Sequence, residues 1–89
     1  MTKAEHYLDR VKSCNCVVCL NRLGKRTSPC YAHHVGTGED RHPFGLVALC
    51  AEHHQGVTGV HGMHRRAFYT FWKCSEVLLL AWTTKEICA

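Results

Sequence analysis

Eighty-nine residues leave room for a single domain, and a chain of this size buries only about 60–65% of its unfolded surface on folding. With 46% apolar and 20% charged residues it is globular rather than disordered, and 7 Cys and 8 His supply candidate metal ligands to reinforce so small a core. No apolar run reaches the roughly 18–20 residues of a bilayer span and the opening Met1–His6 is polar, so membrane-spanning and secreted proteins are excluded; 11 Lys+Arg against 7 Asp+Glu give +4, compatible with a polyanionic partner.

The chain opens with a helix over residues 1–13. Thr2 and Glu5 have capping-box spacing, and Ala4, Tyr7, Leu8 and Val11 recur on one face. Cys14 to Cys19 then forms a metal-knuckle candidate, followed by a polar, basic turn containing Gly24 and Pro29. Cys30–Val35 is β-like and Phe44–Cys50 reads as a buried strand, so the loop between them predicts an antiparallel hairpin. Ala51–Gln55 opens a helix that Gly56, Gly59 and Gly62 break into a loop. Met63–Trp72 resumes helical character, with Met63, Ala67, Phe68 and Phe71 able to share a face. Ser75 is positioned as N-cap of a last helix to about Lys85, whose Val77, Leu78, Leu80 and Ala81 would pack on the core. The expected organisation is one α+β domain, 1–89, with a zinc knuckle and core over 14–62 and C-terminal helices over 63–89.

Two metal constellations stand out. Cys16 and Cys19 form a CxxC and Cys50 with His53 a CxxH, the usual construction of a tetrahedral zinc site. Each pair offers two ligands from one tight turn, and together they would tie the knuckle to the far end of the hairpin. An odd cysteine count without a signal peptide argues against a disulfide framework. Cys14 competes with Cys16, but the spacing to Cys19 favours Cys16. Cys30, Cys74 and Cys88 sit in apolar surroundings and read as packing residues. The second constellation is His33–His34, His54, His61 and His64. Neighbours on a strand face opposite ways, so His33 and His34 cannot chelate one ion together. One can bind a metal while the other acts beside it, as in a metal-assisted hydrolase. Any one of these histidines alone would more often be a hydrogen-bonded or solvated group; their number shifts the balance. His6 and His42 lie outside the pattern.

The run Ala32-His33-His34, then Leu46 to His54, resembles the HNH endonuclease motif with its ββα-metal fold. His53 to Gly62, Arg65-Arg66-Ala67-Phe68 and the stretch from Ser75 to Thr83 resemble the small phage HNH nucleases of the recombination-enhancement (Ref-like) group. The likeness spans Cys16 to Thr83. It implies hydrolysis of DNA phosphodiesters to 5′-phosphate and 3′-hydroxyl ends, with His33 as metal ligand, His34 as general base and His54 as second ligand. Thr58 occupies the expected place of a third histidine, so His61 is the choice, with His64 in reserve. Gly45 stands near where the motif often has a bracing Asn, a role open to Asp40, which is alternatively placed to approach the metal. Arg65, Arg66 and Arg41 would contact phosphates, with Lys25 and Arg26 adding non-specific contacts.

The cofactors so implied are a structural Zn2+ and one catalytic divalent ion (Zn2+, Mg2+, Mn2+, Ni2+ or Co2+). The resemblance also implies a cytoplasmic, phage-encoded protein in a bacterial host. Its partners would be DNA and a recombinase or other phage or host DNA-processing protein. The competing expectation is a non-catalytic zinc module that binds nucleic acid or a protein partner. A third is an adaptor using Phe68, Tyr69, Phe71, Trp72 and Trp82, although aromatics at that spacing are more often core.

Overall fold

A computed structural model describes residues 1–89. Helix α1 (Lys3–Lys12) begins at the capping box: the Glu5 N–H donates to the Thr2 hydroxyl (3.1 Å) and the Thr2 N–H to the Glu5 carboxylate (2.9 Å). Its apolar face turns inward, with Val11 fully buried against the hairpin. The knuckle follows. The Cys16 N–H donates to the Thr27 carbonyl (2.8 Å), and Cys19–Leu23 makes one π-helical turn closed by Gly24 at φ +65°. That left-handed conformation suits glycine and lets the chain reverse.

Strands β1 (Tyr31–His34) and β2 (Leu46–Leu49) pair antiparallel in the register Tyr31↔Leu49, Ala32↔Ala48, His33↔Val47 and His34↔Leu46. Strand β2 is shorter than the apolar run predicts. The Gly45 N–H donates to the His42 carbonyl (2.9 Å), so Phe44 belongs to the turn and sets its half-exposed ring on Tyr7 (centroids 5.1 Å apart). All four residues of β2 are buried, because α1 and the last helix both pack on it.

Four helices complete the chain: α2 (Ala51–Gln55), α3 (Val60–Met63), α4 (Arg65–Trp72) and α5 (Glu76–Cys88). The expected Met63–Trp72 helix is divided at His64, whose φ of 73° and ψ of 150° break the helical path. The glycine segment, expected as loop, contains α3. Here close approach demands glycine: a Cβ on Gly62 would collide with the Gly56 carbonyl, and one on Gly59 would lie 2.5 Å from the Glu52 carbonyl. Helix α3 therefore nests directly on α2. Helix α5 starts where predicted, the Leu78 N–H donating to Ser75 Oγ (3.1 Å), but continues to Cys88 because α1 supports its far end. Arg10 donates to the Ile87 carbonyl (2.8 Å) and Asn15 to the Glu86 carboxylate (3.0 Å).

The core gathers Val11, Val17, Val18, β2, Val60, Phe68 and Leu79 around the hairpin. Several sequence expectations fail at its edge. Val77 and Phe71 face outward, 75% and 54% exposed, and Ala81 and Ala67 are exposed with them, because Leu79 and Phe68 take the inward positions of α5 and α4. Cys88 is exposed at the end of α5, whereas Cys30 is buried and Cys74 half-buried as expected. Thr83, apparently an ordinary helix residue, is fully buried: its hydroxyl accepts the Ala48 N–H (3.3 Å) and donates to the Leu79 carbonyl (2.9 Å). An outward amide of β2 is thus satisfied by α5 without another strand. No helix is long and apolar enough to cross a membrane.

Candidate metal centres

The knuckle delivers Cys16 and Cys19 to the point where β2 runs into α2, with Cys50 at the junction and His53 on the helix. All four are buried, and their ligand atoms lie within 4.8 Å of one another. His53 Nδ1 sits 3.5, 3.4 and 3.3 Å from the sulfurs of Cys16, Cys19 and Cys50, and the Cys19 and Cys50 sulfurs are 3.8 Å apart. Zinc–ligand bonds of about 2.3 Å to sulfur and about 2.0 Å to nitrogen give tetrahedral edges of about 3.8 Å (S–S) and about 3.6 Å (S–N). The observed separations match those edges, so the cluster fits a structural zinc-type site. Burial pushes the Cys16 thiol up to about 12, whereas a zinc ion would hold it as the thiolate. The Cys19 N–H points at Cys16 Sγ (3.5 Å), a bond that favours a charged sulfur. Trp72 packs edge-on against the His53 ring (4.9 Å, 80°) and is itself fixed by its indole N–H, which donates to the Thr58 carbonyl (3.0 Å).

Cys14 stays out of this cluster, its thiol donating to the Arg10 carbonyl (3.3 Å). Cys30 does too; burial pushes its thiol up to about 12, as befits an inert packing residue.

One residue beyond His53, the helical turn sends His54 the other way. There it meets His33 from β1 and His61 from α3, with the three candidate nitrogens within 4.8 Å of one another. Ring centroids are 5.7 Å (His33–His54), 5.1 Å (His33–His61) and 4.8 Å (His54–His61) apart. Burial, then the neighbouring His61 and His54, pushes His33 down to about 4, so its imidazole is neutral with a free lone pair. Burial also lowers His54, with His61 adding to the effect. His54 Nδ1 is buried without a hydrogen-bond partner, an arrangement that costs about 1–3 kcal/mol unless something binds it. Tyr31 stacks on the His54 ring (5.5 Å, 20°) and holds its plane. An imidazole triad with an orphaned nitrogen has the donor chemistry to hold a divalent transition ion.

No family model, curated protein or solved structure matches the chain.

His33 and His61 line a cleft of 530 Å3 together with His34, Gly36, Thr37, Arg41, Val60, His64, Arg65 and Arg66. His34 points away from the buried face of β1, and burial together with Arg41 lowers its pKa. The cleft thus joins His34 and all three of the foremost phosphate-contact candidates. His64 lines it but stands outside the imidazole cluster, so the structure groups His61 with His33 and His54 instead. Lys25 and Arg26 lie on the exposed knuckle loop, away from the cleft.

Asp40 neither joins the triad nor lines the cleft. The loop before β2 is braced by His42, set aside in the sequence, whose Nδ1 accepts the Phe44 N–H (3.1 Å). Glu52 was also missed. Its carboxylate accepts both the Thr58 N–H (2.9 Å) and hydroxyl (2.7 Å), closing the loop that presents α3. Thr58, at the expected place of a third ligand, is therefore a loop clamp. A carboxylate six residues from its partner has no local spacing signature, and only the folded loop reveals the pair.

Proposed function

We propose that the protein is a metal-dependent endonuclease of the HNH, ββα-metal type that hydrolyses DNA phosphodiester bonds. The observation that carries this reading is the imidazole triad of His33, His54 and His61 beside a cleft that also holds His34, Arg41, Arg65 and Arg66. The order of β1, β2 and α2, with the base candidate next to the first ligand, supports it further. A divalent ion held by the three histidines would supply Lewis-acid stabilisation of the charge that develops on the phosphate. Three imidazoles favour zinc, nickel, cobalt or manganese over tightly held magnesium.

The chain's own groups carry the remaining steps. Arg41, Arg65 and Arg66 bind and orient the phosphodiester through charge-assisted hydrogen bonds. His34 accepts a proton from the water that adds to phosphorus as the bond to the 3′ oxygen breaks. That oxygen takes a proton from solvent, leaving 5′-phosphate and 3′-hydroxyl ends. The Cys16, Cys19, Cys50 and His53 cluster keeps α2, and with it His54, in place.

The test is nicking of supercoiled plasmid across a series of divalent ions, with zinc content measured on the same preparations. His34→Ala is expected to lose about 10²–10⁴-fold in rate with its cysteine-bound zinc retained. Equal cleavage by both proteins would remove His34 as the base. Absence of cleavage from wild type with every ion, on duplex and single-stranded DNA, would leave a non-catalytic zinc module.

A further inference from the structure

The cationic cleft does not end at its arginines. Past His64 and Arg66, which line both depressions, it continues into a largely apolar trough of 550 Å3 bounded by Met63, Ala67, Thr70 and Phe71. Phe71 is 54% exposed, its ring supported edge-on by Trp72 (5.0 Å, 79°). Neither depression is lined by an acidic side chain, and Arg66 is the one formal charge on the trough. The backbone bends at the junction, where His64 adopts a positive φ of 73° and separates α3 from α4. Without that bend the two helices would run on as one, and the two depressions would not be set side by side.

We propose that this trough is a subsite for an unpaired nucleobase of the strand whose phosphate occupies the cleft. The inference rests on the nuclease reading and specifies its substrate: a single strand, a flap, or a nucleotide turned out of the helix. A nucleotide couples an anionic phosphate to a flat apolar ring, and the surface repeats that pairing, with arginines leading into an exposed phenylalanine. Stacking on an aromatic accepts any base, since every base has a π-face, and Arg66, which lines both depressions, supplies a cation between the cleft and the trough. A base inside a duplex is already stacked and paired, so it reaches the trough only by leaving the helix.

Binding of dye-labelled oligothymidylate to the zinc-loaded protein, at fixed salt and with no other divalent ion, tests the subsite by fluorescence anisotropy. An abasic strand and a duplex of matched length complete the set. Wild type is expected to prefer the base-bearing strand to the abasic one. Phe71→Ala should weaken it about tenfold and leave abasic and duplex binding unchanged, while Phe71→Trp retains the preference. Zinc content and thermal melting verify that each variant is folded. Equal binding of base-bearing and abasic strands, or uniform weakening of all three ligands by Phe71→Ala, would overturn the subsite. Wild type that binds and nicks duplex DNA without any dependence on Phe71 refutes the subsite and leaves the nuclease standing. Wild type that neither binds nor cleaves any of these nucleic acids refutes both. Light scattering that shows a dimer lost in Phe71→Ala, with oligonucleotide binding unaltered, would reassign the trough to self-association.

Discussion

His53 and His54 are adjacent in the chain, yet they serve two clusters of opposite character. His53 is 4% exposed, and its Nδ1 faces three thiols in a closed set of four ligands. His54 faces two other imidazoles, its Nδ1 has no partner, and two members of its cluster open onto a cationic cleft. A closed tetrahedral set spends every coordination position on the protein and so stabilises the fold. Three ligands leave positions for a substrate and so permit chemistry. The helical turn at the start of α2 sends the two side chains apart, which lets one short element anchor the fold and present the cleft.

The largest expected effect separates these roles. Stripping zinc with a chelator, or replacing Cys50 with Ala, should abolish cooperative thermal unfolding, because structural zinc contributes about 10–16 kcal/mol while domains of this kind are stable by about 5–15 kcal/mol. Replacing the exposed His61 with Ala should change stability by about 0.5 kcal/mol or less while removing the second equivalent of bound metal. Circular dichroism and metal titration read both, and a chelated protein that still melts cooperatively would refute the division.

Gly62→Ala sharpens the comparison at the triad alone. Its Cβ cannot coexist with the Gly56 carbonyl, so α3 must shift and carry His61 away from His54. Overpacking of this kind costs about 1–3 kcal/mol. Urea unfolding should show that loss with the cysteine-bound zinc retained, and the second metal equivalent should weaken. An unchanged affinity there would mean that α3 does not position His61.

The smallest effect lies outside both clusters. Thr83→Val keeps the side-chain shape but leaves the Ala48 N–H without its acceptor, at a cost of about 1 kcal/mol within a range of roughly 1–3. Urea unfolding measures the cost, and faster hydrogen exchange at Ala48 would locate it. A variant as stable as wild type, with Ala48 still protected, would show that α5 does not close that edge of β2.

Wherever one turn of backbone carries the information, the sequence was readable. The capping box at Thr2 and Glu5, the Ser75 cap and the CxxC and CxxH pairs are local patterns, and each appears in the structure where its spacing places it. The hairpin was also legible, since apolar runs bounded by turn residues leave few ways to bury them. The length of β2 was not, because hydrophobicity does not distinguish Phe44 in a turn from the strand that follows it. Helical periodicity likewise suggested inward positions for Val77 and Phe71 but could not show which side of α4 and α5 the core would occupy.

The sequence by itself therefore determined the ligand pairs of the Cys16, Cys19, Cys50 and His53 cluster, since short-range spacing dictates which side chains one turn can bring together. Only the tertiary structure decided that His61, and not His64, joins His33 and His54. Those three side chains come from β1, α2 and α3, and the meeting depends on glycines that let α3 sit against α2, on the Glu52–Thr58 clamp, and on the bend at His64. No spacing along the chain encodes such a meeting, because the distance between elements is set by packing and becomes definite only when the core is closed.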